Sequence, residues 1–291
     1  MAAPQTYEEL QAALQDRLDT LATGQQRIAR LLLTDPDGTA FRSVSETAKL
    51  AEVHQSSVVR FASLFDLQGY PSLVALCRQH LAHEAQLVSR FGLAQAHSDT
   101  ELLRSIAEHD QQNILHTFRR ISVVQWTDTI ELLATADRIH VMGLRKCLPV
   151  AQLLAYLLRL VRPGVHQIAP VVGALVDELR DLREDDVFVA ISIHRYTAET
   201  VQAFEEAKRR GTRTIAFTDT AASPLARIAD ITFLVDCEGV TILRSVSSFI
   251  SLAQALATGV AVRNGTKSRE QFLTEEELFS SFSVYTAPSG A

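Results

Sequence analysis

The feature that most constrains this chain is a change of rhythm near Asp137. Downstream of it, short apolar runs recur at 138–143, 165–169, 187–192, 214–218 and 231–235, with helical patterns in most gaps, notably 149–161 and 198–210. Runs of five or six apolar residues alternating with helices predict a doubly wound parallel sheet covered on both faces, because such strands must be apolar on both sides. The uncharged stretch 245–262 carries Ser247, Ser248, Ser251, Gln254 and Thr258. It is too polar for a good membrane span and reads as the long helix that closes the α/β domain.

Upstream of the change no strand is needed. Leu10, Leu14, Leu18 and Leu21 fall at helical spacing; Gly24 is expected to break the pattern, which resumes over 26–34. Asp35-Pro36-Asp37-Gly38 is a turn signal, and two short amphipathic helices are expected at 45–51 and 55–65. The polar run 95–100 reads as a hinge before a long helix at 100–121. The expected organisation is an all-α domain at 1–80, a helical connector at 81–125, an α/β domain at 126–270 and a tail at 271–291.

At 291 residues there is room for about two domains. The start has neither the basic segment nor the apolar core of a signal peptide. Cys77, Cys147 and Cys237 are too scattered for a metal-ligand or disulfide framework and read as small buried hydrophobes. No metal or cofactor is expected, and a reducing cytoplasm fits.

The strongest local motif runs from Ser45 to Phe61. Ala48 is the small residue needed where two helices cross, and Leu50, Val53, Val58 and Phe61 are spaced to hold them together. Ser45 is a candidate cap for the first helix. The second helix opens with His54, Gln55, Ser56 and Ser57, with Arg60 one turn on. In a helix-turn-helix those positions face the major groove of double-stranded DNA, where such groups donate to and accept from base edges. Glu52 occupies the turn position that usually holds glycine. Residues 1–80 carry seven Lys/Arg against nine Asp/Glu, so phosphate affinity must come from local placement of Arg42, Lys49, Arg60 and Arg78. The expected DNA-contacting set is Ser45, Lys49, His54, Gln55, Ser56, Ser57 and Arg60.

With these pieces in place the chain resembles the RpiR/MurR family of regulators. Residues 21–29, the Asp35-Pro36 turn, Val58 to Phe61, Gly69-Tyr70 and Leu73 fall where that family's N-terminal domain has them. The C-terminal half resembles the SIS (sugar isomerase) domain at 136–139, Gly143, 187–192, Thr197, Glu199, Ala207-Lys208, 215–218, 223–225 and Ala229-Asp230. The resemblance implies a helix-turn-helix transcription factor with a phosphosugar-binding SIS domain, dimeric or tetrameric through that domain and not an enzyme.

In an open parallel sheet, ligands collect at the carboxyl ends of the strands. Two loops qualify, giving Gly143, Arg145, Lys146 and Cys147 from the first and Ser192, His194, Arg195, Tyr196 and Thr197 from the second. Against the family pattern, Arg145 replaces a glycine, Cys147 a serine, and His194-Arg195 a Ser-Gly pair. The exchange trades backbone approach for long cationic donors. The expected effector is therefore a small anion: a phosphosugar, a sugar acid or another carboxylate. The alternative function is a sugar-phosphate isomerase, with Glu199 or His194 as base.

Overall fold

The computed structural model describes residues 3–84, 87–170 and 174–285. It divides into two compact units. One runs to Leu102 and takes in Thr220–Arg227 and Val240–Leu243; the other holds Leu103–Asp219, Ile228–Gly239 and the chain from Arg244.

The first unit is helical. Helices α1 (Tyr7–Arg17), α2 (Thr23–Thr34), α3 (Pro36–Thr39), α4 (Val44–Leu50), α5 (Gln55–Ser63), α6 (Tyr70–Glu84) and α7 (Leu87–Gln95) follow one another. Leu10, Leu14, Ile28, Leu32, Val58, Phe61 and Leu73 share its core. Gly24 does not break a helix; it sits in the first turn of α2, and a Cβ there would meet Val53 at 3.3 Å. The Asp35-Pro36 turn is a one-turn helix, with Asp35 accepting from the Gly38 N–H and proline in the first turn, where no N–H is needed. Gly92 lies within α7.

The second unit opens with α8 (Asp99–Arg120), whose first four residues still belong to the first unit, and α9 (Val123–Thr135). Then follow β1 (Ile139–Gly143), α10 (Leu148–Val161), β2 (Val165–Ile168), α11 (Leu175–Leu179), β3 (Val187–Ile191), α12 (Ala198–Arg209), β4 (Arg213–Thr218), β5 (Ile231–Leu234), α13 (Ser247–Asn264) and α14 (Thr266–Ser281). All five strands pair in parallel, in the order β2-β1-β3-β4-β5. The order reverses between β1 and β3, which opens a crevice at the carboxyl ends of those strands. Every residue of β1 and β3 is buried, as a sheet packed on both faces requires.

Two segments depart from the expected boundaries. Helix α8 is part of the second unit from Leu103 onward, because its buried Asn113 and Thr117 bond the Glu238 carbonyl and the Asp236 N–H. The expected tail at 271–291 is helical as far as Ser281: α14 is tied down by the buried Ser268 hydroxyl, which donates to the Val161 carbonyl. The last residues of that tail, 286–291, lie outside the described residues. Among the described residues no helix is long and apolar enough to cross a membrane.

Candidate functional site

The helix pair α4–α5 is built from local rules. Ser43, not Ser45, caps α4: its hydroxyl accepts from the Glu46 N–H while the Glu46 carboxylate reaches back to the Ser43 N–H at 2.8 Å. Serine two residues earlier completes the Ser-x-x-Glu box, whereas Ser45 lies inside the helix and accepts from Gln55 Nε2 at 3.2 Å. The hydrogen bonds from Ser43 hold the Glu46 carboxyl below its ordinary range. Buried Ala48 and Thr47 form the crossing, and the Thr47 hydroxyl meets the Tyr70 hydroxyl at 2.6 Å. Leu50, expected to pack there, is 56% exposed, because buried Thr47 and Ala48 occupy the inward face of so short a helix. Glu52 stands at φ 51°, so the left-handed turn is made without glycine, at a cost of about 1 kcal/mol. Arg27 pins that turn by donating to the Glu52 carbonyl at 2.7 Å.

On α5, Val58 and Phe61 point into the core. Ser45, Lys49, His54, Gln55, Ser56 and Arg60 are exposed, and Ser57 is half-buried. The helix thus presents short polar groups at its exposed N-terminal end and one arginine in its last turn, with Arg60 Nε folded back on the Ser56 carbonyl. Two of the expected phosphate contacts are otherwise engaged. Arg42 is bonded to Asp35 and donates to Thr39, and Arg78 donates to the Ala40 carbonyl at 2.7 Å. They brace the α3–α4 connection, because carbonyls and a carboxylate lie within their reach.

The second cluster forms at the carboxyl edge of the sheet. Gly143 ends β1, and a Cβ there would lie 2.8 Å from the Cys147 carbonyl oxygen and 3.2 Å from that of Ile191; only glycine lets the next turn fold back so closely. Arg145 is exposed at φ 54°, so the backbone form suited to glycine persists under an arginine. Lys146 turns inward and donates to the His194 carbonyl at 2.8 Å; burial lowers its pKa. Burial pushes the Cys147 thiol up to about 11, so it is an inert packing group rather than a nucleophile.

After β3, the buried Ser192 hydroxyl accepts from the Thr197 N–H at the start of α12. His194 and Tyr196 meet edge-on at 5.8 Å between ring centres, while Arg195 is exposed. Both His194 and Tyr196 lead to a residue that the sequence reading missed. Asp219, directly after β4, accepts from the His194 N–H at 3.0 Å and from the Tyr196 hydroxyl at 2.8 Å. Burial, then the Asp219 charge, raises the Tyr196 pKa. Arg244, also missed, lies 3.6 Å from Asp219 and 3.2 Å from Glu238. The side chains of Asp219 and Arg244 are 5% and 9% exposed. The rule that pointed to the loops after β1 and β3 points equally to the loop after β4, which contains Asp219. Arg244 carried a weaker signal, as the lone charge just ahead of the uncharged stretch 245–262.

Structure therefore brings Lys146, His194 and Tyr196 together around Asp219, and leaves Arg145 and Arg195 at the exposed rim. Glu199, the candidate base of an isomerase, is exposed in the first turn of α12. Among the described residues no group of His, Cys, Asp and Glu could hold a metal ion.

Comparison with known proteins accounts for both units. Residues 8–85 match the model of the helix-turn-helix domain of the rpiR family, and residues 132–259 match that of the SIS domain. The HTH-type transcriptional regulator HexR of Pseudomonas aeruginosa is 26% identical over 262 residues, covering 87% of this chain and 89% of that protein. The sugar isomerase domain of an RpiR transcription factor from Sphaerobacter thermophilus is 26% identical, with a TM-score of 0.57, covering 60% of this chain and 97% of that one. The Vibrio vulnificus NanR protein, solved as a complex with ManNAc-6P, shares the fold at a TM-score of 0.61 and 16% identity, over 94% of this chain and 98% of that one.

Proposed function

Since this chain belongs to the RpiR type of transcriptional regulators, with an rpiR-family helix-turn-helix and a SIS domain, we propose that α5 reads an operator in double-stranded DNA while the sheet-edge site senses a small anionic metabolite. Gln55, Ser56, Ser57 and Arg60 contact base edges in the major groove, and Ser45, Lys49 and His54 flank them. The observation that carries this reading is the division of α5 into a buried Val58/Phe61 face and an exposed polar face.

The effector meets Lys146, His194, Tyr196 and Arg244 within the site, with Arg145 and Arg195 at its mouth. Gly143, Cys147, Ser192 and Thr197 shape the loops. The NanR complex with ManNAc-6P supports a phosphosugar or a chemically related anion as the ligand class. The regulator acts in the cytoplasm as a homodimer or homotetramer. Its ligand favours one arrangement of the paired protomers and so changes the spacing of two recognition helices, which must match half-sites about 34 Å apart or a multiple of that. Paired variants test the division of labour. Arg60→Ala is expected to weaken operator binding by about 1–3 kcal/mol and keep ligand-induced thermal stabilisation, and Lys146→Met to keep operator binding and lose that stabilisation. Equal loss of both activities in either variant would contradict the proposal.

A further inference from the structure

Two short stretches from the C-terminal half of the chain belong to the first, helical unit. Thr220–Arg227 comes directly after Asp219, and Val240–Leu243 directly before Arg244. Each is held by an arginine. Arg227 donates to the Phe41 carbonyl at 3.2 Å, just ahead of α4, and to a Glu46 carboxylate oxygen at 3.4 Å. The same oxygen takes the Ser43 N–H at 2.8 Å and the Ser43 hydroxyl at 2.6 Å, so Arg227 grips the capping box that starts α4. Buried Arg90 of α7 donates to the Thr241 carbonyl at 2.8 Å. The first stretch is no loose connector. Its Ser223 hydroxyl accepts from the Ala226 N–H at 3.0 Å, and Leu225 is fully buried. A segment bonded within itself passes on a displacement of one end instead of absorbing it.

Resting on the reading and sensing roles above, we propose that Thr220–Arg227 is the coupling segment through which occupancy of the sheet-edge site reaches α4 and α5, with Arg227 as its positioning residue. Asp219 and Arg244 lie 3.6 Å apart in that site. A ligand that reseats Asp219 moves the residue at the head of the segment, and Arg227 at its far end carries the movement to Phe41 and Glu46. Ala48 of α4 and Val58 of α5 share one core, so a shifted α4 re-aims Gln55, Ser56 and Arg60. The Arg227 and Glu46 side chains are 44% and 45% exposed. An ion pair so open to water contributes little to stability, which suits a contact made in one arrangement and lost in another. A ligand shifts the balance between two arrangements only through contacts that differ between them.

The test is a double-mutant cycle on operator affinity, in which Asp219→Asn stands in for a disturbed site and no effector is needed. Fluorescence anisotropy of the full chain with DNA from upstream of its own gene reads the result. Asp219→Asn is expected to shift Kd at least fivefold with Arg227 in place, and at most twofold once Arg227→Gln is also present. A merely structural role for Arg227 would leave the size of the Asp219→Asn shift unchanged. Tyr196→Phe, which removes the hydroxyl donated to Asp219, serves the same cycle if Asp219→Asn fails to fold. A shift of equal size in both backgrounds, or none in either, overturns the coupling and leaves the reading and sensing roles intact. No preference of the parent chain for the upstream fragment over a scrambled one would strike the reading role, and the coupling with it.

Discussion

At the start of α5 the polar side chains turn outward, and at the edge of the sheet they turn toward one another. Gln55, Ser56 and Arg60 lie exposed on a helix whose opposite face is core. Lys146, His194, Tyr196, Asp219 and Arg244 form a half-buried network in which a charge or hydroxyl on one loop meets a partner on another. Groups of the first kind cost the fold little and are available to a partner. Groups of the second kind hold the fold as well as the site, since an isolated buried charge is expensive. Substitutions should therefore separate the two regions by what they damage.

The largest effect is expected at the sheet edge. Asp219→Ala removes the carboxylate that takes the His194 N–H and the Tyr196 hydroxyl and faces Arg244, and should lower unfolding free energy by about 3 kcal/mol, measured by denaturant titration. A loss under about 0.5 kcal/mol would mean that the network is as loosely held as a surface pair. Arg60→Ala gives the opposite signature. Stability should stay within about 0.5 kcal/mol of the parent, while operator affinity falls by about 1–3 kcal/mol, read by gel shift and thermal melts on one preparation.

A subtler contrast comes from pH. Burial lowers the His140 pKa despite the Asp186 carboxylate 3.2 Å away, and His166 and Arg138 add to the lowering. For Asp186, burial pushes upward but the Arg138 guanidinium, the Arg183 N–H and His140 together bring it below the ordinary range. Both folded-state values lie below the unfolded ones, so the stability they confer is present at neutral pH and is lost on acidification. His140 loses its share from about pH 6.5 downward, and Asp186 from about pH 4 downward. Melting temperature of the second unit should decline below pH 6.5, and His140→Gln should flatten that upper step; a variant with the parent's profile would remove His140 as the cause. The smallest effect is expected at the left-handed turn of the first unit. Glu52→Gly should stabilise by about 0.5–1 kcal/mol through relief of strain, visible as a raised denaturation midpoint, with operator binding unchanged.

These contrasts also explain what the sequence makes legible. Short apolar runs announce all five strands because a sheet covered on both faces requires them, and the α4–α5 pair follows from helical spacing despite the glutamate at its turn. One helix face is a local property, so the exposed α5 residues could be read from it. The proposed effector site is not local. It combines the loops after β1, β3 and β4 with Arg244 from the approach to α13, and only the parallel order of the strands brings those loops together. Reading two of the loops found Lys146, His194 and Tyr196 without the carboxylate that organises them. Ser45 and Leu50 depart from expectation for a smaller reason: the Ser-x-x-Glu box starts α4 at Ser43, and the inward face of this seven-residue helix is taken by Thr47 and Ala48.

The most direct test is the affinity of the 291-residue chain for DNA from upstream of its own gene, followed by fluorescence anisotropy beside a scrambled fragment of equal length. The proposed role of α5 predicts clearly tighter binding to the upstream fragment at moderate salt, and loss of that preference in Arg60→Ala. Equal affinity for both fragments, unchanged by Arg60→Ala, would contradict it.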